Sequence, residues 1–291
     1  MKTIWQSLFE KTVEQENLIH SITSPIAIND CANVVLALGA KPIMAEHPRE
    51  VYEITSIAKA LTVSYANITD ARMESIMISG KTAKEKALPH IIDAVGVTCS
   101  KMRMEEVKKY ISECCPTVIK GNVSEIKALA GIAFENAGID VSKKDAVGSN
   151  NEAAVRTFAE EVKEYAKRVG AIVVATGEID IISDGEQCIL VKNGCAEMAK
   201  ITGTGCILTC IMGVYLGTAK QLQLLQKKEA PSYLEAVTLA AVLMGIAGET
   251  AKLKESGGRT GLGSYHVSFI DALSEMTFEK LAKEAKFTYI S

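Results

Sequence analysis

Short apolar runs alternate with stretches of helical length from residue 18 to residue 177, and this alternation limits the fold more than any other feature. Strand-like segments fall at 18–23, 42–45, 61–66, 90–96, 116–120 and 171–177. Helical segments separate them at 26–38, 48–60, 70–86, 105–114, 124–130 and 152–168. Strands joined by helices pair in parallel, because a parallel neighbour is reached only through a crossover. The expectation is an α/β fold of three layers, α/β/α, whose mostly parallel sheet is covered on both faces. Pro25 suits a first helical turn, Gly39 a helix stop, Asp70 a helix cap, and Gly121-Asn122 a strand break. Segments 179–183 and 187–192, joined by Asp184-Gly185, read as an antiparallel hairpin. A polar loop is expected at 140–149, a long apolar helix at 233–252, and a last helix at 264–276 after the glycine-rich 257–263.

The chain has 291 residues, ample for a full core, and 48% of them are apolar, which excludes disorder over most of its length. No repeat, low-complexity segment or Pro/Ser-rich linker divides it. It reads as a single domain over 1–291, with no separate lid domain. With 32 basic and 35 acidic residues the net charge is −3, so no basic field exists for nucleic acid or an anionic membrane. Residues 1–10 lack the apolar centre of a signal peptide. The apolar runs 207–216 and 236–248 read as buried helices: the first is about half a membrane span, and Glu235 and Glu249 bound the second. Eight cysteines carry no C-x-x-C spacing and only four histidines accompany them, which argues against zinc. Reduced thiols and a cytoplasmic location are expected.

Thr202-Gly203-Thr204-Gly205-Cys206 runs directly into the apolar segment 207–216. Its two glycines let backbone approach a ligand without a Cβ. A helix starting there presents unpaired N–H groups and the positive end of its dipole. A phosphoryl group in transfer is a suitable anion. The same residues would also make a plain tight turn; position decides between the two. In open parallel sheets ligands bind outside the carboxyl ends of strands. Four polar signals fall at such ends: Asp93, Lys120-Gly121-Asn122, Thr176-Gly177 and the 202–206 loop.

Several long motifs are similar to those of the hydroxyethylthiazole kinase family of the ribokinase-like superfamily. They are residues 32–45 (ANVVLALGAKPIMA), 120–126 (KGNVSEI), 174–180 (VATGEID), 202–206 (TGTGC) and 263–273 (GSYHVSFIDAL). Cys206 is the sharpest marker, because most ribokinase-like enzymes place an aspartate base there. The resemblance implies that ATP and Mg2+ phosphorylate the hydroxyl of 4-methyl-5-(2-hydroxyethyl)thiazole, in thiamine biosynthesis or salvage. It also implies a homotrimer with interfacial active sites.

Residue by residue, the resemblance implies that Cys206, Gly203, Thr204 and Gly205 form the catalytic loop. Lys120, Thr176 and Asp93 lie against the nucleotide phosphates, and Glu125 and Asp93 serve the metal. Met44, Gly203 and Asn29 line the substrate site. Ordinary alternatives stand beside these roles. Asp93 can cap a loop, Glu125 can offset a helix dipole, Met44 can be core, and Asn29 can bridge to Asn33; Arg103 belongs either to the phosphate region or to a solvated helix start. The chain departs from the family at position 120 and over 94–100, where Val97-Thr98-Cys99-Ser100 replaces a Gly/Ala-rich segment. Lys120 stands where many relatives have arginine, so it neutralises phosphate without a bidentate fork. Ala94 stands where relatives usually have proline, which loosens the 93–96 loop.

Cys206 has two readings. A thiol at a helix N-terminus can ionise more readily and accept a proton. A loose transition state needs little deprotonation before attack, so the thiol can instead orient the alcohol. The rival functions are a hydroxymethylpyrimidine or sugar kinase, and a non-catalytic nucleotide-binding regulator. Cys206 argues against the first, and the joint presence of Asp93, Lys120, Glu125 and Thr176 against the second.

Overall fold

The structure is a computed structural model and describes residues 2–133, 152–225, 230–255 and 261–290. Helix α1 (Lys2–Gln15) precedes the first strand, β1 (Leu18–Ile22). Next come α2 (Ile28–Ala37), β2 (Lys41–Ile43), α3 (Val51–Ile57), β3 (Ala60–Ser64), α4 (Asp70–Glu85) and β4 (His90–Asp93). They are followed by α5 (Lys101–Cys114), β5 (Val118–Asn122), α6 (Val123–Ala130), α7 (Glu152–Val169) and β6 (Ile172–Thr176). The hairpin β7 (Asp180–Ser183) and β8 (Cys188–Val191) leads through a 3-10 turn at Ala196–Lys200 into α8 (Thr204–Leu224). The chain closes with α9 (Tyr233–Glu255), α10 (Leu262–Ser274), α11 (Phe278–Glu284) and β9 (Phe287–Ile290).

Among the described residues all the strands form one sheet, in the order β2-β1-β3-β4-β5-β6-β7-β8-β9. Pairing is parallel from β2 to β6 and antiparallel from β6 to β9. The strand order reverses at β1, which makes a crevice at the carboxyl ends on that side of the sheet. Alternate residues of the strands serve two cores. Ile172 and Val174 of β6 meet the layer of α1, α2, α8, α9 and α10, while Val173 and Ala175 meet α4, α5, α6 and α7. The result is the expected three-layer α/β/α arrangement.

Several element boundaries differ from the sequence expectation. Thr69, not Asp70, caps α4, its side chain accepting from the Arg72 N–H at 3.3 Å. Gly121-Asn122 does not break β5. Both residues pair with β6, and Asn122 then caps α6 with no intervening loop. The helix expected over 48–60 is shorter, at Val51–Ile57. The segments 140–149 and 257–260 lie outside the described residues. Helices α8 and α9 are longer than the apolar runs that marked them. Both are long and apolar enough to cross a membrane, yet 83% of each apolar stretch is buried in the protein. Helix α8 lies directly on β3: a Cβ on Gly213 would stand 2.5 Å from Thr62 Cγ2, so only glycine permits the approach.

Candidate active site

The carboxyl end of the sheet gathers groups from five elements. Ser64 ends β3, Asp93 ends β4, Lys120 lies in β5, Thr176 ends β6, and α8 begins above them. Gly203 caps α8 with φ +87°, a left-handed conformation that L side chains seldom adopt, and it brings no side chain to the helix start. Its carbonyl accepts from the Ile207 N–H at 2.9 Å. The N–H groups of Thr204, Gly205 and Cys206 precede the first intrahelical donor and have no acceptor within the helix. Gly205 is exposed, and a Cβ there would lie 3.5 Å from Lys120 Nζ and 3.9 Å from Asp93 Oδ2. The helix start, the ammonium and the carboxylate therefore border one crevice.

Lys120 and Asp93 are both buried, and Lys120 Nζ donates to Asp93 Oδ1 at 2.9 Å. Burial alone would push the ammonium toward the neutral amine. The adjacent Asp93 charge and hydrogen bond more than reverse this and raise the Lys120 pKa. The other Asp93 oxygen, Oδ2, is 3.4 Å from Thr209 Oγ1. The same hydroxyl lies 2.9 Å from the Gly205 carbonyl, so its single proton favours the carbonyl. Oδ2 is the loosely held oxygen of the pair.

Glu125 is buried and doubly engaged. Its Oε1 accepts from the Gly96 N–H and its Oε2 from the Asn122 N–H, both at 2.7 Å. The Asn122 side chain accepts in return from the Glu125 N–H at 2.9 Å, which completes a capping box. Burial, reinforced by the Asp93 charge, pushes the Glu125 carboxyl up to about 7 against these hydrogen bonds. Glu125 thus fastens the loop after β4 to the start of α6.

Cys206 is buried beneath the crevice, with Ser64 Oγ 3.9 Å from its sulfur. Burial and the nearby Asp93 raise its pKa; Lys120 opposes the shift without overcoming it. Burial and Asp93 therefore favour the neutral thiol. Thr176 is half-buried, and its hydroxyl donates to the Gly121 carbonyl at 3.3 Å. The turn beyond it is held by the Gly177 N–H donating to Asp180 Oδ1 at 3.0 Å.

Met44 lies on the loop after β2 and Asn29 near the start of α2, whose cap residue Ala27 stands against the anion loop, 3.4 Å from where a Cβ on Gly203 would be. Met44 is half-buried against the core layer that contains α8. Asn29 is exposed and accepts from Asn33 Nδ2 at 3.0 Å, the local bridge allowed for it. Buried His20 of β1 secures the Met44 loop: its Nε2–H donates to the Ala45 carbonyl at 2.8 Å while Nδ1 accepts from the Thr55 hydroxyl at 2.9 Å. Arg103 resolves as a loop clamp, donating to the Tyr65 carbonyl and, at 3.0 Å, to the Ala66 carbonyl. The Ala94 N–H donates to the Lys120 carbonyl at 2.8 Å, a bond that proline could not make. The loop that lacks the family's proline is thus fastened by Arg103 Nη1, 3.5 Å from the Val95 carbonyl, by Glu125 at the Gly96 N–H, and by the β5 backbone at Ala94.

Thr209, Ser64 and His20 were not singled out in the sequence. Thr209 was within reach, since it follows Gly205 by one helical turn and so faces the same side. Nothing local marks Ser64 or His20, whose partners are remote in the chain. Among the described residues no cluster of three or more His, Cys, Asp or Glu side chains forms a metal cage. Two shallow depressions of about 280 and 460 Å3 lie at the opposite, amino-terminal ends of the strands, bordered by Pro89, His90 and Thr117 and by Pro116, Gly170 and Asp184. Neither includes the loop, the ammonium or the carboxylate gathered at the crevice.

Comparison with known proteins places this arrangement. The model of the hydroxyethylthiazole kinase family matches residues 9–279. Hydroxyethylthiazole kinase 2 of Clostridium botulinum (strain Langeland) is 46% identical over 269 residues, covering 92% of this chain and 94% of the relative. The structure of the hydroxyethylthiazole kinase protein of Pyrococcus horikoshii superposes with a TM-score of 0.82 at 27% identity, covering 100% of both chains. Pyridoxal kinase of Staphylococcus aureus, in complex with AMP-PCP and pyridoxal, shares the fold at a TM-score of 0.54 and 15% identity, covering 80% of this chain and 87% of the kinase. A family match over nearly the whole chain, joined to a relative almost half identical along its length, establishes the kinship: this protein belongs to the hydroxyethylthiazole kinase family.

Proposed function

We propose that the protein transfers the γ-phosphoryl group of ATP to the hydroxyl of 4-methyl-5-(2-hydroxyethyl)thiazole, as a thiamine biosynthesis or salvage step. The observation that carries this reading is the meeting of the α8 start with the Lys120 ammonium and the Asp93 carboxylate at exposed Gly205, with the Cys206 thiol next in the chain and packed on Ser64. In this reading the Gly203–Cys206 backbone receives the charge of the transferring group. Lys120 neutralises phosphate, and the Thr176 hydroxyl turns from the Gly121 carbonyl to a phosphate oxygen. Met44, Gly203 and Asn29 hold the thiazole. Cys206, a neutral thiol, orients the alcohol and leaves its proton in place until attack is advanced.

Magnesium fits one end of this donor set. It takes few protein carboxylates and completes its shell with phosphate oxygens and water. Asp93 would hold it through the loosely engaged Oδ2. Glu125 has both oxygens committed to backbone N–H groups and supports the site by anchoring its loop. When bound, the ion would spread the negative charge of the phosphates.

The same reading includes a single kinase domain over 1–291, a cytoplasmic location and a homotrimer, with no role for nucleic acid or a membrane. Exposed apolar side chains on the paired helices α2 and α10, Leu36 at 56%, Leu262 at 49% and Val267 at 61%, support association. Light scattering should give the mass of three chains; a monomer would remove the trimer from the account. The activity is tested with ATP and a panel of alcohols containing the thiazole, hydroxymethylpyrimidine and ribose, with products identified by mass. Phosphorylation of the thiazole alone is expected. A preference for pyrimidine or ribose, or no turnover at all, would refute the assignment.

A further inference from the structure

The cation proposed to receive phosphate is already neutralised. Lys120 Nζ sits 2.9 Å from Asp93 Oδ1, and both side chains are almost wholly buried. An anion entering over Gly205 would meet ammonium and carboxylate together, at 3.5 and 3.9 Å from the place a Cβ would take. Paired charges at such spacing nearly cancel, and the carboxylate repels the incoming phosphate. The pair is nonetheless held unequally. Asp93 Oδ1 has the ammonium, whereas Oδ2 shares at most a fraction of the Thr209 proton, at 3.4 Å. A second cation can therefore approach Oδ2 without first displacing a strong partner.

We propose that Lys120 and Asp93 are an exchange pair. Asp93 passes from the ammonium to a divalent cation that arrives with the nucleotide, and Lys120 passes from Asp93 to a phosphate oxygen. The inference rests on the phosphate and metal positions of the proposed function. Its consequence is specific: in the absence of a divalent cation, Asp93 opposes nucleotide binding by occupying the ammonium. The pair then makes metal and nucleotide bind with positive coupling, and it discriminates against metal-free nucleotide.

The test is a double-mutant cycle on nucleotide binding, followed by titration calorimetry with ATP in excess EDTA and again in Mg2+. Asp93→Asn frees Lys120 from its partner. It should bind metal-free ATP about tenfold more tightly than wild type, a common size for coupling between two sites. It should also lose most of the gain that Mg2+ gives. In the Lys120→Met background the same Asp93→Asn change should have little effect on metal-free binding, because no ammonium remains to be freed. Equal or weaker metal-free binding by Asp93→Asn would overturn the exchange while leaving the phosphate site intact, provided Lys120→Met weakens ATP binding. If neither substitution alters ATP binding in either condition, the site itself is misplaced and the exchange falls with it. Should Asp93→Asn not fold, Mn2+ binding to nucleotide-free Lys120→Met is measured by electron paramagnetic resonance. Tighter binding than wild type supports the exchange, and unchanged or weaker binding contradicts it.

Discussion

At Cys206, burial and the neighbouring Asp93 keep a sulfur neutral that a helix start alone would help to ionise. A neutral thiol can be replaced by a hydroxyl in an orienting role, but not as a base. Cys206→Ser should therefore fold and keep turnover within about tenfold of wild type, some 1.4 kcal/mol in the barrier. Its rate should show no pH dependence that the wild type lacks. Loss of phosphoryl transfer in a folded Cys206→Ser protein that still binds thiazole would assign the thiol the role of base. The single residues were legible unevenly. Asp93, Lys120 and Thr176 announce themselves as polar groups ending apolar strands, and the 202–206 loop by its glycines. The mutual engagement of Lys120 and Asp93 was not readable, since strand register brings them side by side. The neutral state of Cys206 was equally hidden, because it depends on burial.

Among the elements, the loop after β4 shows how one segment is secured by others. The lost proline suggested a looser turn, yet the Ala94 N–H bonds to the Lys120 carbonyl at 2.8 Å. Restoring proline would reduce the freedom of the unfolded chain, a gain of about 0.4–1 kcal/mol. It would also delete a buried hydrogen bond and orphan its acceptor, a loss of about 1–3 kcal/mol. Ala94→Pro should thus lower stability in urea denaturation, and a raised midpoint would contradict that balance. Glu125→Gln tests the other anchor. An amide can accept only one of the two N–H groups that the carboxylate accepts, from Gly96 and Asn122. The expected loss is about 1–3 kcal/mol, with metal dependence of turnover altered less than stability. An unchanged midpoint together with a large shift in the Mg2+ requirement would instead make Glu125 a ligand. Helices and buried strands with strong apolar periodicity were legible in the sequence. Helices α1 and α11 and the strand β9 were not identified. β9 is four residues long, lies at the sheet edge and has its two central residues exposed, so it carries little pattern of its own.

For the whole molecule, buried histidines and buried carboxyls contribute to the response to acid with opposite signs. His20 and His90 are both lowered by burial, His90 to about 4. A histidine with its folded pKa below the unfolded value binds fewer protons in the fold. Its stabilising contribution is complete above pH 6.5 and is lost as pH falls toward 4. For His90 the loss amounts to about 3 kcal/mol. Glu125 and Asp180, each raised to about 7 by burial, act with the opposite sign as pH falls from 7 toward 4, so the histidine effect is read by difference. His90→Gln should flatten the decline in urea stability between pH 6.5 and 4, and an unaltered slope would show that His90 is not its source. The topology joins these scales: reversal of strand order at β1 and the seat of α8 on β3 bring a helix start over Asp93 and Lys120. Gly205 is where that convergence is most exposed to test. The residue is exposed and has no left-handed φ, and its added Cβ would make only ordinary contacts, so Gly205→Val should remain folded. The valine methyl groups would nevertheless fill the crevice over Lys120 and Asp93. The decisive measurement is the rate of thiazole phosphorylation by Gly205→Val at saturating ATP and Mg2+, with folding verified by circular dichroism and thermal melting. A loss of about a hundredfold or more is expected, the scale of a removed transition-state contact; a folded variant with wild-type turnover would show that phosphoryl transfer takes place elsewhere.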